Sequence, residues 1–80
     1  NQKLNIYPNP ATTQITVSAL AQLEYPCKLE VIDVAGRKVL EIEMDESSLA
    51  IDLGNIHAGL YTLNLITGKG EIFRGKVIKQ

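Results

Sequence analysis

The chain has almost none of the residues from which catalytic and metal sites are usually built. Its 80 residues include one histidine, His57, one cysteine, Cys27, and no tryptophan. A lone cysteine cannot form a disulfide within the chain, and one histidine with one cysteine does not make the four-ligand set of a structural zinc site. We interpret His57 as an exposed turn residue and Cys27 as a buried, unreactive thiol.

The charge balance and the hydropathy exclude other classes of function. Eight basic residues against nine acidic ones leave a net charge of −1, which is not the basic patch of a nucleic-acid-binding protein. No apolar run approaches the roughly 18 residues of a membrane-spanning helix. The acidic stretch 41–46 lacks the ligand spacing of a calcium loop and is typical of a solvated strand edge. We expect no enzyme activity, cofactor, metal or small-molecule substrate.

Short runs of alternating apolar and polar residues, separated by turn residues, indicate strands rather than helices. We predict one all-β domain with the architecture of an immunoglobulin-like β-sandwich of about seven antiparallel strands. The predicted strands are 3–7, 14–18, 27–34, 38–44, 49–53, 60–67 and 71–79. The first residue is Asn1, with no signal-peptide pattern, so we expect residues 1–80 to be one domain of a larger protein.

The side-chain parity of the third and fourth strands predicts the register of a first hairpin. Three pairs would bring the apolar faces together: Val31 with Leu40, Leu29 with Ile42, and Cys27 with Met44. This register requires an even loop, because a one-residue slip moves every side chain to the other face. We predict the four-residue loop 34–37 with a left-handed Gly36, an outer pair of Ile32 with Val39, and Leu40 and Ile42 in the core.

The last two strands predict a second hairpin with an odd loop. Its expected pairs are Leu65 with Phe73, Leu63 with Gly75, and Tyr61 with Val77. Residues 68–70 supply three loop positions, and Gly70 suits a G1 bulge. The outer face then holds Leu60, Ile66, Ile72 and Ile78, so either another segment covers it or it is a binding surface.

Two local motifs mark the start of a strand and the end of another. Gly59 and Tyr61 fit a tyrosine corner, in which the phenol bonds to upstream backbone where the chain crosses between sheets. Near the beginning, Tyr7-Pro8-Asn9-Pro10 ends the first strand, because proline lacks an N–H donor. We expect strand 3–7 to be an edge strand, where lost donors are tolerated, and we expect a cis Tyr7-Pro8 bond.

Four segments in order, "IYPNP", "VIDVAGRKV", "IDLGNIHAGLYTLNL" and "FRGKVIK", together resemble one family. The chain is similar to the C-terminal sorting domains of proteins exported by the type IX (Por) secretion system, of the type A kind. The resemblance covers nearly the whole chain. It implies an immunoglobulin-like sandwich, in agreement with the strand pattern.

The resemblance also implies a function and partners. Such a domain directs the cargo domain that precedes it in the same chain through the outer-membrane translocon, after transit through the periplasm. A sortase usually removes the domain, and the cargo reaches the cell surface or the medium. The domain is then a substrate and an address label.

Position by position, the family's motifs fall on four groups of residues. By resemblance, the fold signatures are Tyr7, Pro8, Asn9 and Pro10 at the start, and Gly59 and Tyr61 at the corner. For recognition by translocon and sortase we favour the hairpin tip and the last strand. These residues are Gly36, Arg37, Lys38 and Val39, which form the hairpin signature, Arg74, and Lys76, Val77, Ile78 and Lys79, which form the terminal motif.

The last strand could act by presenting its side chains or by adding to a partner's sheet through a free edge. The alternative to a sorting signal is a structural or adhesive immunoglobulin-like module, one that binds carbohydrate for example. In that case the motifs would serve the fold alone.

Overall fold

The computed structural model describes residues 3–19 and 23–80, which form seven antiparallel strands and no helix. The strands are β1 (Leu4–Tyr7), β2 (Gln14–Ala19), β3 (Cys27–Ile32), β4 (Lys38–Met44), β5 (Ser48–Asp52), β6 (Gly59–Ile66) and β7 (Ile72–Lys79). Each lies within two residues of its predicted position. The alternation of apolar and polar residues was therefore sufficient to locate every strand.

The strands form two sheets that face each other. One sheet has the order β1-β2-β5 and the other has the order β4-β3-β6-β7. The chain crosses between the sheets after β2, β4 and β5, as in an immunoglobulin-like sandwich. β1 is an edge strand, as predicted, and the Tyr7-Pro8 bond that follows it is cis.

The core lies between the sheets and is built mainly from aliphatic side chains. Its fully buried members include Ile15, Val17, Leu29, Val31, Leu63, Leu65 and Val77. Cys27 is also buried, as predicted, and burial raises the pKa of its thiol, which keeps it protonated and unreactive. The prediction was wrong for Leu40 and Ile42, which are only partly buried. They lie on the edge strand β4, and the opposite sheet has one strand fewer with which to cover them.

The second hairpin matches its predicted register and loop. Leu65 pairs with Phe73, Leu63 with Gly75 and Tyr61 with Val77. The Gly70 N–H donates to the Thr67 carbonyl at 3.0 Å, and Gly70 has a φ of +86°, which is the left-handed conformation expected for a G1 bulge.

The first hairpin confirms the three predicted inner pairs but not the predicted loop. Asp33 N–H donates to the Arg37 carbonyl at 2.9 Å, so the loop is the three residues 34–36, with Gly36 at a φ of +86°. Ile32 pairs with Lys38 instead of Val39, and Val39 is an extra residue in β4. This bulge restores the parity that an odd loop would otherwise break, which is why parity alone gave the wrong loop.

The tyrosine corner is present at the start of β6. The Tyr61 hydroxyl donates to the His57 carbonyl at 2.6 Å, and Tyr61 is 6% exposed. Gly59 has a φ of +154°, where a side chain would be strained. His57 itself is exposed, as predicted, and contributes its backbone to the corner.

Two tyrosines offer a matched test of this hydrogen bond. Tyr61→Phe should lower the free energy of unfolding by about 1 kcal/mol or more, because the His57 carbonyl loses its partner. Tyr25→Phe is the control, because the Tyr25 hydroxyl is buried without a hydrogen-bond partner among the described residues, and its loss should be neutral or stabilising. Urea unfolding measures both, and equal losses for the two variants would contradict the role of the corner.

Candidate recognition surface

The last strand, β7, divides its residues between the core and the surface. Val77 is completely buried, so its side chain belongs to the core. Lys76 and Ile78 point to the opposite face, where Lys76 is exposed and Ile78 is 48% exposed. Lys79 lies on the same face of the strand as Val77 and is partly buried. Of the four residues of the terminal motif, Lys76 and Ile78 are thus the ones that face outward from the four-stranded sheet.

The outer backbone edge of β7 is occupied by the segment Pro8-Asn9-Pro10-Ala11, which we term the proline clasp. The Asn9 side chain donates from Nδ2 to the Lys76 carbonyl at 3.0 Å and accepts at Oδ1 from the Ile78 N–H at 3.0 Å. Ala11 then pairs in register with the end of the strand: its N–H donates to the Ile78 carbonyl and its carbonyl accepts from the Gln80 N–H, both at 2.8 Å.

The clasp changes one expectation about β7. The strand does not have a free edge at residues 76–80, so a partner strand could pair there only by displacing Asn9 and Ala11. This role of Asn9 was not predicted from the sequence. Its signal is an asparagine between two prolines, which have no N–H, so that a side-chain amide must supply the donor.

Three of the four residues of the hairpin signature have a role within the hairpin itself. Gly36 permits the turn, and the Arg37 N–H and Nε both donate to the Asp33 carboxylate, at 2.9 and 3.0 Å. Lys38 forms ion pairs with Glu30 and Glu41, which relieves the repulsion between these two facing carboxylates. The hydrogen bond between Lys38 and Glu41 raises the pKa of Lys38 and lowers the pKa of Glu41, so the pairing favours the charged form of both side chains.

Asp33 is a turn residue that the sequence analysis did not single out. Its Oδ1 accepts hydrogen bonds from the N–H groups of Ala35 and Arg37. The bond from the Arg37 backbone is the main reason why the pKa of the Asp33 carboxyl is lowered. Thr67 occupies the equivalent position in the second hairpin, where its Oγ1 accepts from the Glu71 N–H at 3.1 Å. An oxygen-bearing side chain at the first position of a turn is the sequence signal for this contact.

The hairpin tip and the end of β7 lie at the same end of the four-stranded sheet. Ile32, the last residue of β3, pairs with Thr62, and Thr62 pairs with Lys76. Beyond this row Leu60 pairs with Ile78, and both are more than 40% exposed on the outer face. Val34 at the hairpin tip is 80% exposed. Of the four outer apolar residues predicted from the sequence, Leu60, Ile72 and Ile78 are therefore exposed, and Ile66 is partly buried.

The described residues hold no group of three or more histidine, cysteine or acidic side chains that could bind a metal ion. They also include no helix long and apolar enough to cross a membrane. What the fold presents is a sandwich with outward-facing side chains on its last strand and at a hairpin tip. This arrangement is that of a small β-sandwich module with a candidate recognition surface at one end of its four-stranded sheet.

Comparison with known proteins identifies the module. Residues 5–80 match the family of secretion system C-terminal sorting domains, and the chain belongs to that family. Its function is that of a C-terminal sorting signal of the type IX secretion system, which leads to export to the cell surface or the extracellular space. The family is not one of enzymes. No curated protein sequence matches the chain.

Solved structures with the same fold have low sequence identity to the chain. PorZ, a surface component of the type IX secretion system of Porphyromonas gingivalis, superposes with a TM-score of 0.75 at 16% identity over 96% of this chain. The chain spans 11% of that protein's length. A DUF3244-family immunoglobulin-like sandwich from Bacteroides vulgatus gives a TM-score of 0.74 at 16% identity, covering 100% of this chain and 86% of that one.

A third structure is more distant. CopC from Methylosinus trichosporium has a TM-score of 0.57 at 15% identity, covering 99% of this chain and 91% of that one. At these identities the likeness concerns the fold alone, and it confirms the predicted immunoglobulin-like sandwich.

Asn9 can be tested against a second asparagine. Asn9→Ala should lower the free energy of unfolding by about 1–2 kcal/mol, because two hydrogen bonds to the edge of β7 are lost. Asn55→Ala, at an exposed turn residue whose side chain makes no hydrogen bond to the described residues, should change it by less than about 0.5 kcal/mol. Hydrogen exchange at the Ile78 amide should accelerate only in Asn9→Ala; unchanged exchange there would show that the clasp does not protect β7.

The two hairpin turns should differ in their response to acid. Because folding lowers the pKa of Asp33, its contribution to stability is present above the carboxyl's unfolded pKa of about 4 and is lost as pH falls through the lower folded pKa. The loss of Tm in Asp33→Ala should therefore shrink below about pH 4. The loss in Thr67→Val, which removes an uncharged acceptor, should stay constant. A pH-independent effect of Asp33→Ala would be inconsistent with the assigned bonding.

Proposed function

We propose that the type IX translocon and its surface sortase contact the domain at one end of the four-stranded sheet. The contact surface consists of Val34, Leu60, Lys76 and Ile78. The observation that carries this proposal is the exposed cross-strand pair of Leu60 and Ile78 beside the exposed Lys76. A protein–protein contact typically has an apolar centre, for which Leu60 and Ile78 are suited, and a polar, solvent-accessible rim, for which Lys76 is suited.

The remaining recognition candidates divide according to their place in the fold. Arg74 is exposed on the same face of β7 and can belong to the contact. Gly36, Arg37, Lys38 and Val39 shape the hairpin whose tip carries Val34. Val77 and Lys79 have their side chains on the inward face of β7 and act by holding the strand in place.

We further propose the fate of the domain that the family resemblance implies. Residues 1–80 are a single sorting domain of the type A kind, joined to a cargo domain that precedes it in the same chain. The precursor crosses the periplasm, and the sortase removes the domain at the cell surface. The match over residues 5–80 supports this assignment.

Deleting residues 76–80 would not separate recognition from folding, because the deletion also removes the buried Val77 and the clasp's partners. Substitutions of outward-facing side chains do separate them. Lys76→Gln with Ile78→Thr keeps a β-branched residue in the strand and leaves the core intact. Its matched control, Lys28→Gln with Ile72→Thr, changes exposed residues at other positions on the same sheet face.

Each double variant of residues 1–80 is fused to a periplasmic reporter in a host that carries the secretion system. We expect Lys76→Gln/Ile78→Thr to reduce reporter at the cell surface by about tenfold, the effect of losing about 1.4 kcal/mol of binding, with an unchanged Tm. The control pair should be exported normally. Normal export of both variants, or an equal loss in both, would overturn the proposed contact; retention of the unmodified fusion would overturn sorting by these residues.

A further inference from the structure

An open cleft of about 670 Å³ lies where the edges of the two sheets meet. It is lined by Lys3, Leu4, Thr62, Ile72, Arg74, Gly75 and Lys76. Three of these seven residues carry a positive charge and none carries a negative one. The cleft is therefore a concentrated positive site on a chain whose net charge is −1.

Backbone pairing brings the three cations together. Lys3 forms a parallel bridge with Arg74, which joins the edge of one sheet to the edge of the other. Arg74 and Lys76 are two residues apart in β7, so both point to the outer face with a separation of about 7 Å along the strand. Thr62, the cross-strand partner of Lys76, adds a hydroxyl to the wall of the cleft.

No acidic side chain among the described residues neutralises these cations. The ion pairs among the described residues join Arg37 to Asp33, Lys38 to Glu30 and Glu41, and Lys69 to Glu24. All of them lie outside the cleft. Like charges held close together repel each other, and a bound anion would relieve that repulsion.

We propose that this cleft binds a phosphate group. Three converging positive charges match a doubly charged oxyanion better than a single carboxylate. The guanidinium of Arg74 can donate two parallel hydrogen bonds to phosphate oxygens, while Lys3 and Lys76 act as point charges. Ile72, 43% exposed at the wall, offers an apolar contact to whatever carries the phosphate.

The exposure of the three cations determines how such a site behaves. Free phosphate binds weakly, and added salt weakens the binding further, because solvent-exposed charges are screened. The site shares Lys76 with the translocon contact proposed above, but phosphate binding requires no partner protein. It is measured on the isolated chain, without a secretion assay.

The test is a titration of the isotope-labelled 80-residue chain with inorganic phosphate at low ionic strength, followed by NMR. Amide shifts should be concentrated at the residues that line the cleft. Arg74→Gln should raise the Kd about tenfold, the equivalent of about 1.4 kcal/mol. Lys3→Gln should also raise it, because that charge comes from the other sheet. Lys28→Gln, at an exposed lysine on the same sheet face, should leave the Kd unchanged.

Several results would overturn the proposal. Shifts spread over all lysines, or an Arg74→Gln variant that binds as Lys28→Gln does, would mean that no defined site exists. Acetate binding as tightly as phosphate would make the cleft a carboxylate site. Each variant's spectrum must retain the dispersion of the native fold. Lys76→Arg should keep most of the binding because it keeps the charge. Arg74→Lys should lose part of it, because a lysine cannot donate the two parallel hydrogen bonds of the guanidinium.

A vesicle arm distinguishes the two sources of the phosphate group. Sedimentation with phosphatidylglycerol vesicles, but not with phosphatidylcholine vesicles, that is lost in Arg74→Gln would assign the cleft to an anionic lipid headgroup. Phosphate binding in the titration with no sedimentation would assign it to a free phosphate ion. Sedimentation that persists in Arg74→Gln would contradict lipid recognition by the cleft.

Discussion

The fold depends on the pairing of its last strand with a segment that precedes it by almost the whole length of the chain. The Asn9 side chain bonds to the backbone of Lys76 and Ile78, at sequence separations of 67 and 69 residues. Ala11 continues the pairing to Gln80. These bonds cover an edge of the four-stranded sheet whose free N–H and C=O groups would otherwise be a template for aggregation.

This closure leaves β7 with two separate tasks. Its inward residues, Phe73 and Val77, hold it in the core, and its outward residues, Lys76 and Ile78, are available to partners. With the backbone edge covered, the surface that remains for recognition consists of side chains. In the contact that we propose, the outward side chains belong to a strand whose position is set by the rest of the sandwich. Because side chains alternate along a strand, a change on the outward face leaves the inward residues in place.

Much of the fold could be predicted from the sequence because strand alternation and turn chemistry are local. The positions of all seven strands, the second hairpin's register with its Gly70 bulge, and the tyrosine corner followed from neighbouring residues. The first hairpin's loop did not, because an odd loop with a bulge at Val39 and an even loop without one satisfy the same parity. The partial exposure of Leu40 could not be predicted from the sequence either, because it depends on how far the opposite sheet extends.

The sequence by itself determined the strands, their inward faces and, through four ordered motifs, the family. Only the tertiary structure decided what lies against the edges of the strands that carry those motifs. It gave Asn9 its contact with β7 and brought Lys3 beside Arg74. The physical reason is that these placements come from pairing between distant segments, and local periodicity determines the face of a strand without determining what lies along its edge.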